Sequence, residues 1–562
     1  MKRARAACAL LLGLAACRRA EPAPAPGPTP LPTAAAPPAI GFLDESREGT
    51  PVEGGELRRR LNGEPTTLNA VLQSSGPESQ VLQYVVRNLF DFDASLNLVP
   101  GLAEGYDVSD DGLVYMIRLR PEAVWEDGRP VTSADAVFTI LKITDPAVPA
   151  PVWAPLFEGM ESVEAIDSRR FRVRFRERYA FRPMAFALPI LPEHRFRGRP
   201  FLSSKDNRAP LSDGPYRVVS WKAQESVTLE RNPRAWGPRG HFDRIVFRIL
   251  PDNTTAYRLL TSGELDEDQM DASQKARAVT DPDFLGCCRS VEFYNLDWNY
   301  VGLNNRSPLF SDPRVRRALT MLTDRASIVR NLYRGSARII SGPWAPDSPA
   351  YDASVEPLPF DPRQSARLLA EAGWRDTNGN GTLDREGREF EFEILVSAGS
   401  EIGRQIDEML ASELSRVGVT ARVRTMEWAA FVARVDGGDF EAASLGWSAV
   451  DPNPDPYFYW HSTQCAPKGL NASCYQSPEA DRLMDLARRE EDPEARNAMF
   501  HRLHRILRDE APVLFLVNAS QKFGFSRRVR GITTSPLGLY GIWPGPLGWW
   551  AAPEAERKKP AA

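Results

Sequence analysis

The side chains that could carry covalent, acid–base or metal chemistry are few in this 562-residue chain. Its five histidines are scattered, and His501 and His504 fall on one predicted helix, where we expect a surface pair rather than a metal site. The sequence contains no Gly-x-Ser-x-Gly, His-Glu-x-x-His or Ser-x-x-Lys motif. It therefore predicts neither a catalytic centre nor a metal centre, and the informative residues are cysteines, tryptophans and aspartates.

Cys17 is the cysteine with the most informative position. It follows Leu14-Ala15-Ala16, after a basic start and an apolar run over residues 6–16. This order is typical of a secretory signal, and the run is far shorter than the roughly 20 residues of a membrane-spanning helix. The site resembles the lipobox of bacterial lipoproteins, which implies a signal peptide over residues 1–17 and a diacylglyceryl group on Cys17. The mature protein would then lie outside the cytoplasm, tied to a bacterial membrane. A plain signal peptide with an incidental cysteine is the alternative.

The remaining cysteines bear on disulfide formation. Cys465 and Cys474 bracket a short polar loop, so we expect a local bridge between them in an oxidising compartment. Together with Cys287 and Cys288 they allow three pairings, and the sequence leaves the choice open. A zinc site is disfavoured, because one pair is adjacent and only His461 lies near the other.

The region between residues 390 and 447 predicts the elements that position two tryptophans. Apolar periodicity gives strand, helix, strand, short helix and strand, over residues 390–396, 402–417, 419–423, 431–435 and 442–445. This alternation is typical of a parallel α/β unit, in which ligands bind beyond the carboxyl ends of the strands. Trp428, Trp447 and Ser448 follow predicted strands, so we expect them at a pocket rim. The alternative is that the two indoles are core aromatics.

Helix caps and strand alternation extend the mixed α/β pattern along the chain. Thr132, Asp312 and Asp361 are each placed to cap a helix, the last two before a proline at the first helical position. Residues 170–176 alternate arginine with apolar residues, which predicts a strand with a solvated arginine face. The formal net charge of −4 likewise predicts no nucleic-acid partner.

Two segments are predicted to remain outside the folded domains. Residues 18–50 are rich in proline and alanine and have no apolar periodicity, so we expect a disordered tether. Residues 554–562 are predicted to form a disordered tail. Beyond the leader, no run of eighteen apolar residues predicts a membrane span.

Short motifs recur along the chain in a fixed order. They occupy residues 63–69, 89–91, 100–104, 109–113, 124–132, 135–138, 213–217, 230–233 and 312–319. Each motif alone is weakly specific, but the collinear series is highly specific. From about residue 52 to residue 549 the chain resembles the family 5 extracellular solute-binding proteins, the receptors of oligopeptide, dipeptide and nickel ABC importers.

The resemblance implies an α/β fold of the two-lobed, type II periplasmic-binding-protein kind, with an extra subdomain inserted in lobe I. Carried onto this chain, lobe I comprises residues 51–72, 205–300 and 522–553, the subdomain residues 73–204, and lobe II residues 301–521, with one crossover at 299–304. The family binds its ligand between the lobes and closes over it. We expect a monomer without a cofactor that captures short peptides and delivers them to ABC permease subunits.

The resemblance also implies ligand-binding residues. A Glu-Trp dipeptide and a later Gly-Trp-x-x-Asp segment line the family's cleft, and Trp428 and Trp447 match them. Tyr300 and Ser448 are further candidates. Val450 occupies the place of the ammonium-binding aspartate, so Asp451 or Asp455 would have to take that role. The alternative is a rigid Asp/Pro turn with solvated carboxylates. The strand at 445–448 could pair with the backbone of an extended peptide.

Other interpretations stay open at this point. Residues 376–387 resemble the start of a calcium loop, but Gly387 occupies the place of the bidentate glutamate, so we expect a polar turn. The same fold could instead bind nickel or a metallophore, although scarce histidine argues mildly against direct ligation of nickel. A sensory lipoprotein that reports ligand to a partner is a further alternative.

Overall fold

A computed structural model describes residues 41–47, 49–448, 455–467 and 469–553. The predictions for Cys17, for most of the tether, for Asp451 and for the tail lie outside the described residues. Within them, no helix is both long and apolar enough to cross a membrane.

The described residues form strands and helices throughout. The strands are β1 (Glu56–Leu61), β2 (Phe90–Phe92), β3 (Leu98–Pro100), β4 (Ala103–Val108), β5 (Val114–Leu119), β6 (Met160–Ala165), β7 (Arg170–Phe175), β8 (Tyr216–Lys222), β9 (Ser226–Arg231), β10 (Arg244–Ile249), β11 (Glu267–Gln269), β12 (Cys288–Tyr294), β13 (Trp298–Leu303), β14 (Ala337–Ile339), β15 (Asp384–Arg385), β16 (Arg388–Glu389), β17 (Glu391–Ser397), β18 (Thr420–Met426), β19 (Ala442–Trp447), β20 (Val513–Ser526), β21 (Val529–Arg530) and β22 (Trp550–Ala551). The helices are α1 (Gly76–Val85), α2 (Ser133–Ile143), α3 (Glu193–Phe196), α4 (Asn253–Thr261), α5 (Ala272–Ala278), α6 (Pro282–Cys287), α7 (Pro313–Met321), α8 (Arg325–Asn331), α9 (Pro362–Glu371), α10 (Glu401–Ser415), α11 (Trp428–Asp436), α12 (Tyr457–Trp460), α13 (Pro478–Ala487) and α14 (Pro493–Glu510).

Twelve strands form one sheet that passes through both lobes. Ten of them lie in the order β18-β17-β19-β13-β20-β11-β1-β10-β9-β8, and β12 and β14 also pair with β20. The first half of β20 pairs with β13 and β14, and its second half pairs with β11 and β12. The long strand β20 is therefore one of the two connections between the lobes.

The parallel α/β unit predicted for lobe II is confirmed. Strand β17 pairs in parallel with both β18 and β19, and α10 and α11 connect these strands. Helix α10 buries Ile406, Leu410 and Leu414 along one face. Gly418 follows it with a φ of +82°, a conformation that glycine adopts without steric cost. The carboxyl ends of β17, β18 and β19 consequently meet at one edge of the sheet.

The predicted caps and the predicted arginine strand are also confirmed. Thr132 forms a capping box with Asp135 at α2, and Asp312 and Asp361 cap α7 and α9. Strand β7 alternates exposed arginines with buried Phe171, Val173 and Phe175. It belongs to a four-stranded sheet, β4-β5-β7-β6, within the predicted subdomain. The apolar face of this sheet shares one core with lobe I.

The centre of lobe I contains a ladder of charges that the sequence did not predict. Arg58, Arg59 and Arg60 of β1 pair with Asp266, Glu267 and Asp268, with N–O distances of 2.9, 2.9 and 3.2 Å. Arg59 and Glu267 are both buried. Each arginine meets an acid 208 residues further along the chain, so the ladder joins two remote segments of the lobe.

Contacts in the structure bear on two of the predicted boundaries. The tether ends earlier than residue 50, because Leu43 donates its N–H to Thr534 Oγ1 at 2.7 Å and buried Glu45 pairs with Arg289. The predicted crossover at residues 299–304 falls within β13, which pairs with β19 and β20. The buried Asn518 donates Nδ2 to the carbonyls of Asn295 and Asp297 at 2.8 and 2.7 Å, which fixes the connection between β12 and β13 against β20.

Candidate functional site

Trp428 lies beyond the carboxyl end of β18 and opens α11. The preceding Glu427 caps the helix, since its Oε2 accepts the N–H groups of Ala429 and Ala430 at 2.8 and 3.4 Å. The Trp428 indole stacks against Phe431 at a ring distance of 6.0 Å and remains 63% exposed. It is therefore not a core aromatic, and its free face can contact a ligand at this edge of the sheet.

Trp447 and Tyr300 meet in a narrow space, which we name the aromatic cavity. Trp447 of β19 pairs with Trp298 of β13, and Tyr300 follows two residues later on the same strand. The Trp447 and Tyr459 rings lie 4.0 Å apart and the Trp298 and Tyr300 rings 4.9 Å apart. The cavity measures about 40 Å³, and its walls comprise Trp298, Tyr300, Pro343, Trp344, Trp447, Pro456, Tyr459, Trp460, Leu470, Ala472 and Ser473. These walls favour an apolar group of a ligand.

The end of β19 presents an open backbone edge. Strand β13 pairs with β19 from Ala442 to Trp447, but β17 pairs with it only at Ala442 and Ala443. Among the described residues, no strand covers the second edge of residues 444–447. Such an edge offers N–H and C=O groups to an added strand. Exposed Ser448 continues from this edge towards residues 449–454, which include Asp451 and lie outside the described residues.

Asp455 is engaged by protein groups in the described structure. Its carboxylate is buried and accepts hydrogen bonds from the Tyr457 N–H and the Tyr179 hydroxyl, both at 3.0 Å. Arg488 Nε lies 2.8 Å from the same carboxylate. These three protein groups occupy the carboxylate, and through Tyr179 it joins lobe II to the predicted subdomain. We therefore omit it from the ligand set.

Cys465 and Cys474 are joined by a disulfide, with their Cα atoms 4.5 Å apart. The loop that they close carries Leu470, Ala472 and Ser473, which line the aromatic cavity. Cys287 and Cys288 are also joined, at the junction of α6 and β12. The adjacent pairing was not predicted from the sequence. All four of these cysteines thus form disulfides within the chain, which is consistent with an oxidising compartment.

A larger cavity, which we name the lobe I cavity, was missed by the sequence analysis. It measures about 410 Å³ and lies between α1, the segment that follows it and residues 540–547. Its walls mix amides such as Gln73 and Gln80 with the indoles of Trp153 and Trp543. The motifs at residues 89–91 and 213–217 contribute Phe90, Asp91 and Pro215 to its walls, but these motifs indicated the family and no role.

A buried arginine and a partly buried aspartate lie in the wall of the lobe I cavity. The Arg87 guanidinium lies over the Trp236 and Trp543 rings, at 4.7 and 5.4 Å, and donates to the carbonyl of Trp236 at 2.9 Å. Asp91 accepts a hydrogen bond from Asn88 Nδ2 at 2.8 Å, and burial raises the pKa of Asp91 to about 6. The wall thus combines aromatic area with a fixed cation and a titratable acid.

His504 corrects the prediction of a surface histidine pair. It is fully buried, and its Nδ1 accepts the N–H of Asp352 at 3.1 Å. Nε2 must then carry the proton of the neutral ring and donate it to Ser341 Oγ at 2.9 Å. Burial lowers the pKa of His504 to about 4. This tautomer cannot accept the serine proton, so the Ser341–His504–Asp352 contact is not a hydrolytic triad.

The loop that resembles a calcium site forms a polar turn closed by its own backbone. The Asp376 carboxylate accepts the N–H groups of Gly379, Asn380 and Gly381 at 2.7, 3.1 and 3.0 Å. The turn precedes the hairpin of β15 and β16. No group of acids, histidines and cysteines suited to a metal ion occurs among the described residues.

Comparison with known proteins defines the class of this chain. The family model of the bacterial extracellular solute-binding proteins, family 5 Middle, matches residues 97–468. The chain belongs to this family, whose members are substrate-binding proteins outside the cytoplasm.

Individual relatives share the whole length of the fold. The oligopeptide-binding protein AppA of Bacillus subtilis is 27% identical over 520 residues, which cover 90% of this chain and 93% of the relative. Heme-binding protein A of Haemophilus influenzae is 25% identical over 489 residues, covering 82% and 87%. The probable di/tripeptide-binding protein 5 of Pseudomonas aeruginosa is 26% identical over 529 residues, covering 84% and 94%.

Solved structures show the same two-lobed architecture. Bacillus subtilis AppA in complex with a nonapeptide aligns with a TM-score of 0.77 at 26% identity, covering 90% of this chain and all of that one. NikZ from Campylobacter jejuni in complex with Ni(L-His) aligns with a TM-score of 0.76 at 24% identity, covering 89% and 100%. The second likeness shows the fold alone.

Proposed function

We propose that this protein captures short peptides between its lobes and delivers them to the permease of an ABC importer. The observation that carries the proposal is the open edge of β19 directly beside the aromatic cavity. A peptide strand added to this edge would gain main-chain hydrogen bonds whatever its sequence. The similarity to peptide-binding relatives of the same length supports the same ligand class.

The residues that would bind the ligand lie in both lobes. Residues 444–447 would pair with the peptide backbone, while Tyr300 and Trp447 would contact one side chain and Trp428 another. The lobe I cavity would receive further side chains against its indoles and amides. Asp451 is proposed as the partner of the peptide ammonium, because a carboxylate at that position would form a charge-assisted hydrogen bond.

Ligand capture would operate by a shift between open and closed forms. A ligand that contacts both lobes favours closure by its differential affinity for the closed form. The hydrogen bond from the Tyr179 hydroxyl to Asp455 joins the predicted subdomain to lobe II in the described form, and Arg488 of lobe II pairs with the same carboxylate. We propose that opening breaks the contact between Tyr179 and Asp455, and that bound peptide stabilises the closed form in which this contact is made.

The experiment is a binding measurement on protein stripped of ligand by unfolding and refolding. Native mass spectrometry with an equimolar mixture of synthetic peptides of graded length should recover peptide complexes. Trp447→Ala should lose them, because it removes stacking area and one cavity wall. Phe360→Ala serves as the matched control, since Phe360 is an exposed lobe II aromatic outside the cavity. Absence of every peptide complex, or undiminished capture by Trp447→Ala, would contradict the proposal.

We also propose that Cys17 anchors the protein to a membrane through lipid. The proposal rests on the lipobox-like sequence, and the lobes would then work at the surface where the permease lies. Metabolic labelling with radioactive palmitate should mark the wild-type protein. Cys17→Ala should lose the label and leave the membrane fraction. Equal labelling of both proteins would refute the anchor and leave the peptide-binding proposal intact.

A further inference from the structure

A polar cavity, which we name the seam cavity, lies between residues 155–182 and residues 457–489. It measures about 500 Å³ and is separate from both cavities described above. Five guanidinium groups and three acids line it: Arg176, Arg178, Arg182, Arg488 and Arg489, with Glu158, Glu177 and Asp485. The cations therefore outnumber the acids in its walls.

Arg182 is a buried cation without a carboxylate partner. It is 6% exposed, and its Nη1 donates to the carbonyls of Leu156 and Glu158 at 2.9 and 3.2 Å. Its Nε is buried and has no hydrogen-bond acceptor in the described part of the chain. The rings of Phe175 and Tyr179 lie 3.7 and 4.8 Å from the guanidinium carbon. Burial lowers the pKa of Arg182 to about 10. A buried charge held only by carbonyls and rings is costly, so a counter-charge would stabilise it.

The other guanidinium groups leave part of the cavity charge unbalanced. Arg488 is paired with Asp455, while Arg178 donates to the carbonyls of Asp111 and Asp110 at 2.7 and 2.6 Å and lies 3.6 Å from Glu491 Oε1. Arg176 and Arg489 are exposed, and neither side chain makes a hydrogen bond or ion pair with another described residue. The cavity thus has one buried cation, Arg182, and two exposed cations that are not engaged by other described residues.

We propose that the seam cavity binds an oxyanion, a carboxylate or a phosphate, between the predicted subdomain and lobe II. A guanidinium group binds such an anion through paired N–H donors. Helix α12 separates the two sites, because Tyr459 and Trp460 face the aromatic cavity while Tyr457 and Phe458 face the seam cavity. An anion bound here would contact both sides of the seam and favour the closed form.

The anion has two sources, a free ion or a carboxylate of a captured peptide. Isothermal titration of the mature protein with inorganic phosphate, at constant ionic strength, tests the first source. Titration with triglutamate against triglutamine tests the second. Saturable binding of phosphate alone would assign a free anion, and a preference for triglutamate would assign a peptide carboxylate. Either result supports the site.

The variants test which residues hold the anion. Arg182→Met keeps the packing volume and removes the charge, and should weaken binding about tenfold or more. Arg489→Gln removes an exposed charge of the cavity and should weaken binding several-fold, while Arg482→Gln, which removes an exposed arginine of helix α13 outside the cavity, should change nothing. If Arg182→Met does not fold, the anion affinity of Arg489→Gln alone tests the site. Unsaturable binding of both probes, or equal affinities of wild type and Arg489→Gln, would overturn the proposal. Trp447→Ala should keep the anion affinity, which separates this site from the peptide site.

Discussion

Replacing Glu267 by glutamine should test whether the buried charge ladder holds lobe I together. Arg59 is fully buried, with its Nε 2.9 Å from Glu267 Oε2 and its Nη1 3.1 Å from the Tyr84 hydroxyl. Rings of Tyr84, Phe247, Tyr540 and Trp549 surround the guanidinium at 4.6–5.9 Å. Tyr540 also hydrogen-bonds to Glu267 and lines the lobe I cavity, so the ladder supports a wall of that cavity.

In Glu267→Gln the Arg59 guanidinium would stay buried among the four rings without its carboxylate partner, so the free energy of unfolding should fall. Removal of one partner of a buried ion pair costs about 3–5 kcal/mol. The double variant Arg59→Met/Glu267→Leu removes both charges and should regain most of that loss, although two tyrosine hydroxyls lose partners at about 1 kcal/mol each. Glu164→Gln is the control, because Glu164 and Arg172 form a half-exposed pair worth about 0–1 kcal/mol.

Equilibrium unfolding in urea, followed by circular dichroism and tryptophan fluorescence, would measure these changes in the free energy of unfolding. The reasoning predicts a large loss for Glu267→Gln, recovery in the double variant and almost no loss for Glu164→Gln. If Glu267→Gln lowered the free energy of unfolding no more than Glu164→Gln does, the ladder would not be a source of stability. If the double variant lowered it as much as Glu267→Gln does, the unpaired Arg59 charge would not be the cause of the destabilisation.

Three further predictions concern the pH dependence, the seam and the disulfide loop. Burial raises the pKa of Asp213 from 3.8 to about 7, so the stability this group confers is present below about pH 4 and lost as the pH rises towards 7. The stability of wild type relative to Asp213→Asn should therefore fall over that range in denaturation curves, and a constant difference would refute the assignment. Asp455→Asn should weaken the contacts of this side chain with Tyr179 and Arg488 and so favour the open form. Small-angle scattering should then show a larger radius of gyration without ligand, and an unchanged radius would show that these contacts do not stabilise the closed form. Cys465→Ser/Cys474→Ser should lose about 2–3 kcal/mol of stability and weaken peptide capture, as measured by urea unfolding and titration, and full retention of both would show that the loop needs no bridge.

Local patterns predicted much of the fold because their causes are local. Thr132 and Asp312 could be recognised as caps because a helix start requires an acceptor beside its free N–H groups. The unit from β17 to β19 could be predicted because its periodicities change within short segments. These elements also placed Trp447 at the end of a strand, where the structure has it.

Long-range contacts explain what the sequence did not predict. Asp455 and Tyr179 lie 276 residues apart, so the carboxylate could not be recognised as occupied. The burial of His504 depends on Ser341 and on the backbone of Asp352, which come from a different part of lobe II. The lobe I cavity likewise arises from segments near residues 73–92, 152 and 540–547, which only the folded chain brings together.

Hydrogen exchange at residues 444–447 tests the central claim most directly. These amides lie at the strand edge where we propose that the peptide backbone pairs. With a peptide identified by native mass spectrometry, the account predicts slower exchange in this segment, and a smaller effect with a copy of the peptide methylated at alternate backbone nitrogens. Unchanged exchange at residues 444–447 in a protein saturated with peptide would contradict it.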